Sequence, residues 1–458
     1  MARKFIMSYS DSLVKRISSK DAKICVVGLG QVGLPTALTF CEAGFDVTGH
    51  DINKELLEKL NSGIPPFEEF GLEGLLETSV KTNRFHTENH IVKAVENSDI
   101  IIVCVATPIT EEVRPDLTSL TSVCDSLSQI SLKGKMVIIE SSIPPGTFER
   151  LVFTALNKKN HVGTDCWAAF VPERLAPGQA ITEIRTTPRV IGYIDEDSGL
   201  IAKSLYEKIV DSEILVTSIK VAEISKLVEN TFRDVNVALA NEVGLICEKY
   251  GIDVKELLNI CNSHPRVNLL QPGPGVGGPC LPKDPYLLLN PQGSDPIQSK
   301  IILEARKIND HMPTHVIDLI SKAIKEQNKR LEEATITVLG VAYKANVSDT
   351  RFSPSKEIIS SLVKKGCSVF VHDPLTKENF GGQTVSDIWD AVSQSDILVI
   401  VTDHDEFKKF DLEKIQKTMK VPTIIDTRRI FDRKDAENLG IKYLAIGYTK
   451  NPNINETS

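Results

Sequence analysis

The chain lacks the features that would mark a membrane, secreted or nucleic-acid-binding protein. No apolar stretch reaches the roughly 20 residues that cross a bilayer, and the first 20 residues are polar and basic without the apolar region of a secretory signal. Positive charge is not in excess: 53 Lys and Arg stand against 61 Asp and Glu, a net charge of −8 spread along the chain. That argues against nucleic acid as the main partner, and an anionic ligand would need a local basic site. The nine cysteines include no C-x-x-C pair. Cys261 and His264 have a ligand-like gap, but no second pair joins them, so no metal site is expected. Cys25 and Cys104, in apolar strand-like runs, read as small core residues. These absences together point to a reducing cytoplasm. What is present is ample core material: 41% of 458 residues are hydrophobic, enough for about three domains at the usual ~150 residues each. Only the tail, NPNINETS, reads as disordered.

Residues 23–33, KICVVGLGQVG, run an apolar strand into Gly28-x-Gly30-x-x-Gly33. A helix-like stretch follows, then a second strand, DVTGHD, ending at Asp51. This is the dinucleotide-binding fingerprint in its required strand–turn–helix–strand context. Gly28 suits the tight turn, Gly30 close approach of backbone to pyrophosphate, and Gly33 close helix packing. The helix N-terminus offers N–H groups to the phosphates. An acid at Asp51 would bond the ribose hydroxyls and repel a 2′-phosphate, which favours NAD over NADP.

Strand-like runs alternate with helical patterns from Lys23 to about Thr217, a mostly parallel α/β arrangement. Residues 218–250 carry helical periodicity with no proline, and their apolar positions cover more than one face, more than a single packing partner needs. A second α/β unit begins near Thr335, with Gly340 but no full glycine triplet. The expected fold class is therefore α/β: two Rossmann-like doubly wound domains (1–217 and 313–458) joined by a long central helix and a helical dimerisation region (218–312). The crevice between the end domains is the natural ligand site.

The run GPGVGGPCLPKDP, residues 273–285, places Cys280 after a glycine-rich turn, with Lys283 and Asp284 close behind. A thiol on such a turn beside a cation and a carboxylate is placed for nucleophilic chemistry.

With these motifs in order, the chain resembles the UDP-glucose/GDP-mannose dehydrogenase family over about residues 22–447. The likeness is carried by the N-terminal fingerprint, SSIPPGT (141–147), VPERLAPG (171–178), AEISKLVENTFRDVNVALANE (222–242), the cysteine loop and GVAYKANVSDTRFSP (340–354). The resemblance implies an NAD domain, a central helix that builds a homodimer, and a C-terminal UDP-sugar domain. It implies two successive oxidations of a sugar C6 alcohol, through a thiohemiacetal and a thioester on Cys280. Lys226 and Asn230, four residues apart on one helix, match the lysine and asparagine that polarise the reacting oxygen. Asp284 matches the aspartate of the same water network, Glu173 the glutamate of thioester hydrolysis, and Ser142 stands where the family often has threonine at the catalytic water. Thr107 falls with the cofactor residues, and Arg351 matches an arginine at the NAD pyrophosphate. Lys344 and Gly277 match UDP-sugar contacts, Arg266 an arginine that crosses the dimer interface, and Arg428 is a further substrate candidate. Taken singly, Lys226 could instead pair with Glu223, Asn230 could cap a turn, and Glu173 could be a solvated loop acid. Pro177, where the UDP-glucose branch carries a second acid, and HPRVNLLQPGPGVGG (264–278) resemble the N-acetylhexosamine branch. Pro279 and Lys283 resemble the UDP-glucose branch. The substrate expected first is UDP-N-acetylmannosamine, then UDP-N-acetylglucosamine, with UDP-glucose as the alternative.

Overall fold

The central apolar runs form strands because they are covered on both sides, the environment that parallel sheets require. The structure is a computed structural model that describes residues 8–175, 177–385 and 387–448. The tail 451–458, expected to be disordered, lies outside the described residues. The chain divides into two compact units: residues 1–229 with 283–298, and residues 230–282 with 299–458.

The first unit holds an eight-stranded sheet: β1 (Lys23–Val27), β2 (Asp46–His50), β3 (Phe85–Thr87), β4 (Ile100–Val103), β5 (Met136–Ile139), β6 (Trp167–Phe170), β7 (Arg189–Tyr193) and β8 (Ile214–Ser218). Their order is β3-β2-β1-β4-β5-β6-β7-β8, parallel throughout except between β6 and β7. The first six strands thus follow the Rossmann order 3-2-1-4-5-6. Alternate residues of one strand feed opposite cores. Ile24, Val26, Ile100, Ile102, Met136 and Ile138 point into one layer. Cys25, Val27, Ile101, Val103, Val137 and Ile139 point into the other. Each such side chain, fully buried, stabilises by about 1.5–3 kcal/mol. The helix Tyr9–Ser19, capped by the Ser8 hydroxyl, carries no strong apolar run. Leu13 and Ile17 anchor it to the core, with Val14 packed beside them.

The second unit repeats the plan. Strands β9 (Thr335–Leu339), β10 (Ser368–His372), β11 (Gln383–Thr384), β12 (Ile397–Ile400), β13 (Thr423–Asp426) and β14 (Lys442–Ala445) lie in the order β11-β10-β9-β12-β13-β14. This is a complete six-stranded Rossmann sheet. Only its first turn is altered: no glycine triplet follows Gly340, and the next helix, Pro354–Lys364, begins after a long loop. The helix Ile219–Tyr250 is as long as its uninterrupted periodicity predicts. Among the described residues no helix is long and apolar enough to cross a membrane, and no group of three or more His, Cys, Asp and Glu is placed to hold a metal.

Candidate active site

The glycine turn of the first unit has the three-part logic its sequence predicts. Gly28 adopts φ 91°, donates its N–H to the His50 carbonyl at 2.8 Å, and has room for no Cβ, which would lie 2.8 Å from the Cys104 carbonyl. A Cβ on Gly33 would come within 1.9 Å of the Gly28 oxygen, so the helix Gly33–Glu42 starts hard against the turn. Gly30 is the opposite case: its Cβ position meets nothing within 4 Å, leaving the backbone open at the helix N-terminus. Asp51 is half-buried and oriented by the N–H groups of Leu29 at 2.9 Å and Asn53 at 3.0 Å. The buried Thr107 donates to the Ser142 carbonyl at 2.5 Å, tying the loop after β4 to the loop after β5. The loop after β4, with the glycine turn after β1, flanks the switch point between β1 and β4, the crevice where open α/β sheets bind ligands. An open Gly30 backbone, a fixed acid and a helix N-terminus fit the phosphates and ribose of NAD.

Glu173 is not a solvated loop acid. It is 6% exposed and accepts from Arg189 Nη1 at 2.6 Å and from the Arg174 N–H at 2.5 Å. Arg189 opens β7 and is itself buried. Behind the pair lies Glu140, the residue that follows β5, 1% exposed. Its carboxylate accepts from the Tyr206 hydroxyl at 2.6 Å, from Cys104 Sγ at 3.2 Å and from Thr36 Oγ1 at 3.4 Å. Burial, with the charge of Glu173, pushes the Glu140 carboxyl up to about 7. Cys104 is therefore more than the small core residue its apolar run suggested: burial and the Glu140 carboxylate hold its thiol protonated.

On the long helix Lys226 is 8% exposed and Asn230 6%, one turn apart on the buried face. The alternative pairing of Lys226 with Glu223 does not form. The Glu223 carboxylate turns instead to the backbone N–H groups of Gly146 and Phe148, both at 2.8 Å. Lys226 has no ion-pair partner among the described residues. Asp284 is fully buried and takes Lys283 Nζ at 2.6 Å, at the start of the helix Asp284–Leu289.

In the second unit the cysteine loop is seated on the segment 340–354. A Cβ at Gly277 would lie 2.7 Å from Tyr343 Cβ and 2.8 Å from the Phe352 carbonyl; one at Gly278 would strike the Tyr343 ring at 2.7 Å. Gly278 donates to the Arg351 carbonyl at 2.9 Å. The loop's front is held by the long helix, where Asn241 accepts from the Gly273 N–H at 2.8 Å. Cys280 is half-buried and close to Tyr343, whose phenol is raised above its ordinary range by burial first and by Asp349 second. Arg351 is held by its neighbour Asp349, Nε at 2.9 Å and Nη2 at 2.6 Å. Arg428 donates to the Val401 carbonyl at 2.9 Å and reaches Gly273. Lys344 and Arg266 are exposed. The unit thus gathers Gly277, Cys280, Arg351 and Arg428 around one loop, while Arg266 stands apart from them.

Three family models cover the chain in order: the NAD binding domain of the UDP-glucose/GDP-mannose dehydrogenase family at residues 22–210, its central domain at 220–311 and its UDP binding domain at 337–433. The UDP-N-acetyl-D-mannosamine dehydrogenase of Pyrococcus horikoshii is 39% identical over 409 residues, 89% of this chain and 96% of that one. The chain belongs to the UDP-glucose/GDP-mannose dehydrogenase family. It is an NAD-dependent nucleotide-sugar dehydrogenase. The solved UDP-D-ManNAc dehydrogenase of P. horikoshii superposes with a TM-score of 0.86 at 37% identity, covering 93% of this chain and 99% of that one. A UDP-glucose dehydrogenase from Pyrobaculum islandicum superposes nearly as well, TM-score 0.82 at 26% identity, covering 93% and 98%. Fold alone therefore does not separate the sugars.

The structure also shows why only one Rossmann unit of this dehydrogenase carries the dinucleotide fingerprint. Gly340 repeats Gly28, with φ 90° and its N–H on the His372 carbonyl at 2.9 Å. Asp373 repeats Asp51 at the end of β10. Its side chain, however, is fully buried and saturated, by Val341 N–H at 2.7 Å, Ala342 N–H at 3.1 Å, Leu375 and Thr376 N–H, and His404 Nε2 at 3.1 Å. Burial opposes its ionisation, yet His404 and the backbone donors hold the carboxyl down at about 2. An acid so occupied has nothing to offer a ribose. Sequence reasoning missed Glu140, Arg189, Tyr206, Asn241 and Tyr343. A signal for two of them was present: Glu140 directly follows the apolar strand β5, and Arg189 is the charged first residue of β7.

Proposed function

We propose that this enzyme oxidises the C6 alcohol of a UDP-N-acetylhexosamine to the uronic acid, with UDP-N-acetyl-D-mannosamine as the first substrate and UDP-N-acetylglucosamine the second. UDP-glucose is the alternative. The observation that carries the chemistry is the displayed Cys280, set on a double-glycine turn that packs against Tyr343. Relatives named for UDP-N-acetyl-D-mannosamine support the sugar, as does the HPRVNLLQPGPGVGG loop.

Gly28, Gly30, Gly33, Asp51, Thr107 and Arg351 would hold NAD. Bound NAD supplies the acceptor for the two electrons removed at each oxidation. Lys226 and Asn230 polarise the reacting oxygen and position a water, with Asp284 and Ser142 completing the network. The Cys280 thiol adds to the aldehyde carbon, so the intermediate stays bonded to the protein and offers a second C–H for oxidation. The thioester so formed is cleaved by water, whose proton passes to Glu173, and the thiol returns. Lys344, Gly277 and Arg428 meet the UDP-sugar.

A homodimer belongs to the same reading. The long helix buries Ala222, Lys226, Leu227 and Asn230 on one face and leaves Val221, Ile224, Val228, Phe232, Leu239 and Ile246 exposed on another, Phe232 at 67%. A second copy laid on that stripe would cover it and bring Arg266 to a neighbour's site. A cytoplasmic setting is consistent with nine cysteines that lack disulfide-type spacing.

The test is turnover of the three UDP-sugars at limiting concentration. An N-acetylhexosamine should exceed UDP-glucose by at least roughly tenfold in kcat/KM, about 1.4 kcal/mol of transition-state binding. Equal or better turnover of UDP-glucose would overturn the assignment of the sugar.

A further inference from the structure

Glu173 does not act from an ordinary loop. Its carboxylate is one end of a chain of polar groups to which five other segments of the first unit contribute. Arg189 on β7 holds it at 2.6 Å. The Arg189 guanidinium lies over the Tyr206 ring, 5.5 Å from its centre. The Tyr206 hydroxyl, from the helix Glu196–Tyr206, donates to Glu140 at 2.6 Å. Cys104, just past β4, and Thr36, on the helix Gly33–Glu42, close the other side of Glu140. Every member but Cys104 is under a tenth exposed. The Glu173 and Glu140 carboxylates thus share one buried cluster with a single guanidinium, paired to Glu173 directly and linked to Glu140 through Tyr206, and the charge of each carboxylate acts on the other.

We propose that Glu140, acting through Tyr206 and Arg189, is a positioning residue that sets the proton affinity of Glu173 during thioester hydrolysis. While Glu140 is protonated, Arg189 serves Glu173 alone and keeps it a weak base. Once Glu140 has lost its proton, Arg189 is divided between two anions, and Glu173 becomes the stronger base toward the hydrolytic water. No electrons move in this step: one proton leaves Glu140 for solvent, and the water's proton goes to Glu173. Burial and the charge of Glu173 push the Glu140 carboxyl up toward neutrality, which brings this change into the working pH range. The inference rests on the role of Glu173 in hydrolysis given above and names what governs that role.

The experiment follows breakdown of the Cys280 acyl-enzyme by rapid quench and intact mass, from pH 5.5 to 9, in the full enzyme with UDP-N-acetylmannosamine and NAD. Each rate is taken per acyl-enzyme formed, so slower formation does not enter it. Wild-type breakdown should rise through an inflection near neutral pH. Glu140→Gln should lose that inflection and run about tenfold slower than wild type at pH 8. Tyr206→Phe removes the hydroxyl that stabilises the Glu140 anion and should move the inflection to higher pH while keeping its height. It remains informative if Glu140→Gln folds poorly, and Glu140→Asp should restore part of the profile. Glu173→Gln separates the two ideas. If it accumulates acyl-enzyme while the Glu140→Gln and Tyr206→Phe profiles coincide with wild type, this inference alone is overturned. If Glu173→Gln breaks down at the wild-type rate, both are overturned.

Discussion

Replacing Arg189 with methionine keeps an unbranched stem and removes the guanidinium with its charge. The Arg189 and Glu173 side chains are 3% and 7% exposed, so the change leaves Glu173 buried beside Glu140 with no cation between them. Removing one partner of a buried ion pair costs about 3–5 kcal/mol, chiefly the penalty of the stranded charge. We expect the first unit to lose that much, roughly a 10²- to 10⁴-fold shift in its unfolding equilibrium. The chain carries two tryptophans, Trp167 in the first unit and Trp389 in the second. In a Trp389→Phe background, Trp167 fluorescence in urea therefore reports the first unit. Adding Glu173→Gln to Arg189→Met should recover at least half of the loss, because the stranded charge is gone. A single-variant loss below about 1 kcal/mol, or no recovery in the double variant, would refute the reasoning.

Wild-type stability should itself fall between about pH 5 and 8. Burial and Glu173 hold the Glu140 carboxyl at about 7 in the folded state, against about 4.3 unfolded, so this contribution is full below the lower value and lost as pH passes the higher one. Glu140→Gln should remove a slope on the order of 3 kcal/mol, read from urea curves at each pH. Asp51→Ala should weaken NAD and narrow its advantage over NADP, measured by binding of each cofactor; a wild-type preference for NADP would contradict this. Phe232→Glu should lower the mass seen in light scattering to that of one chain, and mixing Arg266→Ala with Cys280→Ala subunits should regain activity through hybrid dimers; a fully active monomeric wild type would contradict both.

Most of the fold can be read from the sequence because each signal was local. Runs such as KICVV and DIIIVCV have no solvent face to pattern, so they read as buried parallel strands. Gly28, Gly30 and Gly33 stand at fixed distances in a single turn. The 218–250 periodicity is unbroken. The strands β3, β8, β11 and β14 and the antiparallel direction of β7 were less legible, because their pairing is decided by neighbours far along the chain. The same divide runs through the site. Lys226 and Asn230 were placed together because helix spacing alone puts them there. The surroundings of Glu173 were not legible, because Glu140, Arg189 and Tyr206 come from three elements that only the folded sheet assembles. The saturation of Asp373 by His404 and four backbone donors was hidden for the same reason, although the strand that ends in it reads much like the one ending at Asp51.

The central claim is that one cysteine turns two oxidations into a single bound sequence. The measurement that tests it most directly is the number of NADH formed per uronic acid released, taken together with the mass of the protein during turnover. The account gives two NADH per acid, no free aldehyde in solution, an adduct on Cys280 alone, and no acid from the Cys280→Ala enzyme. A ratio of one, free aldehyde accumulating, or an unimpaired Cys280→Ala enzyme would contradict it.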